Sequence, residues 1–143
     1  MKQFAISIAV FAAAQASLWA WGPHLARWQL RNALERYGAA ESLETLLQAH
    51  QAAMQPAYVE AGIAGAAMLV AAAMLLRRQR AGWFLWLACL GASLLFSLFS
   101  LNLHGLSIGT VLRILVLLTF AMFSLRTSRN GKVVAWLQGS TVQ

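Results

Sequence analysis

Glu60 and Arg113 are the residues of this chain whose surroundings demand an explanation. Each is the lone charge in an apolar run, Glu60 between Ala57 and Leu76 and Arg113 between Leu106 and Leu125. A charge near the centre of a bilayer costs about 2.5–3.5 kcal/mol on insertion scales, so such residues face a bundle interior and find partners. Counted from the same side, Glu60 lies about four residues and Arg113 about six below the start of its run, a depth difference of about 3 Å. A long arginine side chain spans that gap. The spacing therefore predicts an ion pair inside the membrane, either a device that fixes helix register or a polar site for a substrate or ion.

A second pattern runs along the third apolar segment, where Cys89, Ser93, Ser97, Ser100 and His104 follow at spacings of four, four, three and four. One helix face is thus mildly polar over its outer half. Such a face packs between helices through its hydroxyls or lines a polar path, and lipid is a poor neighbour for it. The histidines His24, His50 and His104 show no close pair of the H-x3-H kind, so separate local roles are expected and no metal site. The letters G-x-S-x-G occur once, at Gly105-Leu106-Ser107-Ile108-Gly109, but between two apolar spans and not between a strand and a helix, so they make no nucleophile elbow. No zinc helix, phosphate loop, dinucleotide fingerprint or paired-carboxylate motif is present. Glu41 and Glu44, three residues apart, are ordinary for a solvated helix face. Neither a catalytic residue nor a cofactor is expected, and the reading leans away from an enzyme.

The elements that hold these residues are apolar helices. The chain has 143 residues, 60% of them hydrophobic and 10% charged, against roughly 25% charged in soluble domains, which makes it an integral membrane protein. Four spans of about 20 residues fit the hydrocarbon thickness: 3–22, 57–76, 81–101 and 106–125. The first also imitates a secretory signal, with Lys2, an apolar core and Ala14-Gln15-Ala16. Its apolar character runs on to Trp19 and Trp21, which favours an uncleaved span over removal of residues 1–16. The lone cysteine, Cys89, rules out an intramolecular disulfide.

Between spans one and two, residues 23–56 are the longest polar stretch. Pro23 suits a helix start. Leu30, Ala33, Leu34 and Tyr37 then share one face, with Arg27, Arg31 and Glu35 on another. Gly38 suits that helix's end and Ser42 the N-cap of a second helix bearing Leu43, Leu46, Leu47 and His50. Pro56 is expected to end or kink the second helix. The stretch reads as an extracytoplasmic amphipathic helical hairpin over the mouth of the bundle. Ala57, Ala61 and Gly65, and likewise Gly62 and Ala66, are spaced by four on the second span, a close-packing face for a neighbouring helix or a subunit. Trp83 and Trp86 suit an aromatic belt, and Asn102-Leu103-His104-Gly105 a tight turn.

Charge sets the orientation. Arg77, Arg78 and Arg80 crowd the connection between spans two and three, and Arg126, Arg129 and Lys132 follow span four; with Lys2 these are seven of the eleven basic residues. Short loops rich in Lys and Arg are cytoplasmic, so both termini are expected inside, with a cytoplasmic tail over 126–143. Val133, Val134, Trp136 and Leu137 of that tail suit the membrane surface. All four acidic residues fall on the other side. The net charge of +7 is divided among short inter-span segments, which argues against a nucleic-acid surface. Abundant Ala, Leu, Trp and Arg with short loops resembles the composition of bacterial inner-membrane proteins.

The expected architecture is an all-α integral membrane protein, a four-transmembrane-helix bundle with N-in/C-in topology, forming a single membrane domain. Three functions fit. The first is a small accessory or regulatory subunit that binds a larger membrane protein through the second span and the outer hairpin. The second is an oligomeric transporter or channel subunit with a path lined by Glu60, Arg113 and the Ser97/Ser100/His104 stripe. The third is an enzyme acting on a lipid-linked substrate at the outer leaflet. Partners are membrane lipids and a membrane protein or further copies of the chain.

Overall fold

The computed structural model describes residues 1–37, 42–104 and 108–139. They form five α-helices: α1 (Lys2–Tyr37), α2 (Leu43–Leu76), α3 (Arg80–His104), α4 (Ile108–Arg129) and α5 (Lys132–Leu137). The first four are long and apolar enough to cross a membrane. Each packs on the next in chain order. Lys2, the α2–α3 turn, the end of α4 and α5 share one end of the bundle, called here the basic end.

Two helix boundaries differ from expectation. No helix starts at Pro23 or stops at Pro56; the two prolines lie inside α1 and α2. Each proline removes one backbone hydrogen bond and costs about 3 kcal/mol in a helix interior. Packing on both flanks offsets that cost. Gly22, next to Pro23, lies so close to the Tyr58 ring that a Cβ there would come within 2.5 Å of it, and Ala26, one turn on, is buried. Residues 23–37 and 43–56 are therefore continuations of the first two long helices. Ser42 does cap α2, accepting from the Thr45 amide at 3.3 Å. Gly38 and Gly105 lie outside the described residues. Asn102, Leu103 and His104, expected in a tight turn with Gly105, are instead the last residues of α3, and the fourth helix begins at Ile108.

The apolar core fills the basic half of the bundle. Ala5, Ile8 and Ala12 of α1 meet Met68, Ala71, Ala72 and Leu75 of α2, Trp83, Trp86 and Leu90 of α3, and Leu117 of α4. These positions recur at three- and four-residue spacing, as an inward stripe requires. Trp83 and Trp86 belong to this core and form no interfacial belt. Trp86 is fully buried, edge-on to Phe4 and Phe120 at centroid distances of 6.3 and 5.5 Å. Its indole N–H donates to Ser124 Oγ of α4 at 2.9 Å. That partner makes the burial of a polar ring tip tolerable.

The tail also docks on protein. Val133 of α5 is buried in the core, and the Trp136 indole N–H donates to the Leu75 carbonyl at 3.1 Å. The Arg78 guanidinium lies 4.8 Å from the centroid of the Trp136 ring. Arg78 itself has φ 60 and closes α2 in a Schellman motif, with Gln79 N–H donating to Met74 O at 2.9 Å and Arg78 N–H to Leu75 O at 3.0 Å. Most remaining large apolar side chains, among them Ile6, Val10, Phe84, Leu95, Leu112 and Leu115, point outward. Lipid is the solvent such faces need.

Candidate functional site: a polar cluster beside a lateral groove

Above the apolar core the four long helices each contribute one polar side chain to a single cluster. Along straight helices, Gln15, Glu60, Ser93 and Arg113 all stand about 20–24 Å from the basic end of their own helix. Arg113 Nη2 donates to Glu60 Oε2 and reaches Gln15 Oε1 at 3.4 Å. Ser93 Oγ donates to Glu60 Oε1 at 3.0 Å. The Arg113 and Glu60 side chains are only 17% and 18% exposed, so the pair replaces much of the solvation that each charge gives up. One cluster thus ties α1, α2, α3 and α4 together.

Two of its donors go unmatched. Gln15 Nε2 and Arg113 Nε are buried and have no partner among the described residues. Gln15 is almost wholly buried, and turning its amide over would set its NH2 group against the guanidinium. Gln15 was absent from the expected site. Its signal was a lone carboxamide in the middle of the first apolar run, masked by its place in a cleavage-like sequence. Ser124, the partner of Trp86, gave no signal, because a serine near a span end is ordinary.

The serine stripe divides. Ser93 joins the cluster. Ser97 is also buried, but its hydroxyl is spent on the Ser93 carbonyl of its own helix at 2.7 Å. Ser100 is half-buried. His104 closes α3, and its side chain lies outside the described residues. His24 stacks edgewise on Trp21 with centroids 6.4 Å apart, and His50 is half-buried. Among the described residues no three potential metal ligands gather.

The small-residue face of α2 is used within the chain. A Cβ on Gly65 would come within 2.6 Å of Ala16 N and 2.7 Å of Ala12 O, and one on Gly62 within 3.3 Å of Trp19 Cβ. Ala61 is buried, Ala57 half-buried and Ala66 exposed. Gly65 and Ala61 therefore serve the α1–α2 contact, while Gly62 is half-buried beside Trp19. Arg77, Arg78, Arg80, Arg126, Arg129 and Lys132 are exposed together at the basic end.

Besides a smaller cavity of about 270 Å³ between Trp19, Pro23, Gln51 and Tyr58, two larger features stand open to the surroundings. A groove of about 720 Å³ runs between α2 and α3, lined by Ala52, Glu60, Ala64, Ala67, Cys89, Ala92 and neighbouring apolar residues. On α1, Leu18, Trp21, Leu25 and Trp28 follow at spacings of three, four and three, with exposures from 41% to 68%. This stripe passes Pro23 into the part of α1 that carries Arg27, Arg31 and Glu35, with ion pairs Arg27–Glu44 at 3.9 Å and Arg31–Glu35 at 3.3 Å. No family model, curated protein or solved structure matches the chain.

Proposed function

We propose that this chain is a non-catalytic accessory or regulatory subunit of a larger membrane protein, and that it docks through the exposed stripe Leu18, Trp21, Leu25 and Trp28 of α1. That stripe carries the reading. Its 3-4-3 spacing is the seam pattern of a helix that packs on another helix. It extends beyond the apolar run into a helical segment with charged faces, where a partner can cover what lipid tails do not reach. Two exposed tryptophans supply the large rigid anchors that dominate interface energies. The occupant is an amphipathic helix continuous with a partner's span. Gly65 of the small face of α2 is packed on α1, so the docking surface is placed on α1.

The other readings have less support in the geometry. A polar path needs unspent polar groups in a row, whereas Ser97 bonds its own backbone and Glu60 is matched by Arg113. Acid–base chemistry at Glu60 meets the same obstacle, because both of its oxygens are already engaged, by Ser93 and by Arg113. The exposed basic end supports an N-in/C-in orientation, and the composition a bacterial inner membrane. A topology reporter fused after Arg80 is expected to read cytoplasmic; a periplasmic signal overturns the orientation.

The docking test is native mass spectrometry of the chain gently extracted from its host at native level. A second membrane polypeptide in fixed stoichiometry, lost on combined Trp21→Ala and Trp28→Ala and retained on Glu60→Gln, is the expected result. Recovery alone or as a homo-oligomer overturns it.

A further inference from the structure

We propose that the α2–α3 groove binds an uncharged long-chain amphiphile whose head group donates a hydrogen bond, a long-chain alcohol being the simplest member of the class. The proposal is independent of the docking stripe, which lies on α1. Ala52 to Ala67, the extent of the groove on α2, is about 22 Å of helix. The volume of about 720 Å³ falls within the range of roughly 300–1,000 Å³ of small-molecule sites, which are mostly apolar with a few orienting polar groups. A helix about 10 Å across and 22 Å long occupies more than twice that volume, so the groove cannot enclose a partner span.

Polarity selects the head group. The lining is alanine, valine, isoleucine, phenylalanine, proline and Cys89, with Gln55 toward one end and Glu60 and Ser93 in the middle. Glu60 keeps some exposure there, whereas Ser93 behind it is sealed. Each Glu60 oxygen already takes one donor, Oε1 from Ser93 and Oε2 from Arg113. What remains at Glu60 is carboxylate lone pairs, which accept and never donate; the Gln55 carboxamide, toward the groove's end, is neutral and both accepts and donates. An anionic head group would set lone pairs against lone pairs. A cationic one would place a second positive charge beside Arg113, although Arg113 already balances Glu60. A quaternary ammonium offers no N–H at all. A hydroxyl supplies one donor and no charge. The two unsatisfied donors, Gln15 Nε2 and Arg113 Nε, are sealed from solvent and line no part of the groove, so they do not convert it into an anion site.

The test uses the full chain in phosphatidylcholine nanodiscs with three photoreactive probes of equal chain length: hexadecanol, hexadecyl sulfonate and hexadecyltrimethylammonium, each with a diazirine in its chain. Cross-linked peptides are mapped by mass spectrometry. The alcohol is expected to label α2 around Val59–Ala67 and α3 around Cys89–Phe96 saturably, about tenfold better than either charged probe, as befits one hydrogen bond to a charged acceptor. Ala92→Phe, which fills the groove from an exposed position, should abolish the labelling, as should Ala64→Phe independently. Equal labelling by all three probes means ordinary lipid contact and overturns the proposal. So does labelling confined to the exposed α4 face around Leu112 and Leu115, or groove labelling that survives in a correctly folded Ala92→Phe protein.

Discussion

Neutralising Glu60 and Arg113 one at a time is expected to have unequal effects, and the inequality follows from where each sits. Removing one member of a buried pair costs about 3–5 kcal/mol when the survivor is left uncompensated. The survivors here differ. With Glu60→Gln, Arg113 keeps the Gln15 carboxamide oxygen at 3.4 Å, and it stands only about five residues, or about 7 Å, above the start of α4 at Ile108. Its long side chain can turn toward that end and regain water. We expect a loss of about 2 kcal/mol, below the usual range for that reason. With Arg113→Gln, the Glu60 carboxylate keeps Ser93 at 3.0 Å and little else. Its side chain is too short to reach either end. The loss should reach the full range, about 3–4 kcal/mol.

The double variant leaves two neutral carboxamides in place of two charges and should cost about 2 kcal/mol, well short of the sum of the singles. The assay is reversible unfolding of the chain in mild detergent, followed through near-ultraviolet signals of the buried Trp86. Additivity within about 0.5 kcal/mol refutes an energetic coupling between the two side chains. A larger loss for Glu60→Gln than for Arg113→Gln refutes the argument from position.

Further outcomes test other contacts. Gly65→Ala should destabilise by about 1–3 kcal/mol although alanine is the better helix former, because the new methyl meets backbone atoms of α1 within 2.6–2.9 Å. Gly91→Ala meets nothing within 4 Å and should be neutral or stabilise by up to about 1 kcal/mol in the same unfolding assay. Ser124→Ala strands the buried Trp86 N–H and should cost about 1–3 kcal/mol; Ser97→Ala loses only a bond to its own helix and should stay within about 0.5 kcal/mol. At the α2–α3 turn, Arg78→Ala should lose about 0.5–1 kcal/mol with the Trp136 contact. Arg78→Gly loses the same contact but relieves about 1 kcal/mol of left-handed backbone strain, ending near neutral by thermal melting.

The long helices were legible because their signal is composition sustained over about twenty residues. The meeting of Glu60 and Arg113 was approachable for a related reason: two charges in apolar runs at matched depth have few ways to avoid one another. Pro23 misled as a helix start, and Pro56 as a helix end, because a proline's local preference for a boundary is worth only about 3 kcal/mol. The packing of Gly22 on Tyr58 and the burial of Ala26 override it, and no short window of sequence contains both sides of that contact. Trp83 and Trp86 misled in the same manner. Tryptophan suits both an interface and a core with a partner for its N–H, and the partner, Ser124, is 38 residues away. Gln15 went unread because the polar atoms that employ it come from α4.

The same contacts decide how the chain presents itself to a membrane. Glycines at four-residue spacing are the usual sign of a surface ready for another subunit, and here they allow α1 to approach α2 at backbone distance. The intramembrane charges are the usual sign of a path, and here they are matched within the bundle. Once both are absorbed, the outward face of α1 and the groove between α2 and α3 are left. These differ in a way that separates their occupants. The α1 stripe is convex, aromatic and flanked by charged residues beyond Pro23, which suits a second helix. The groove is concave, mostly apolar and carries one charged acceptor, Glu60, which suits a single chain with one donor. Because the two lie on different helices, Trp21→Ala with Trp28→Ala should leave alcohol labelling intact, and Ala92→Phe should leave partner recovery intact. Loss of both functions in either variant would mean that one surface, not two, is at work.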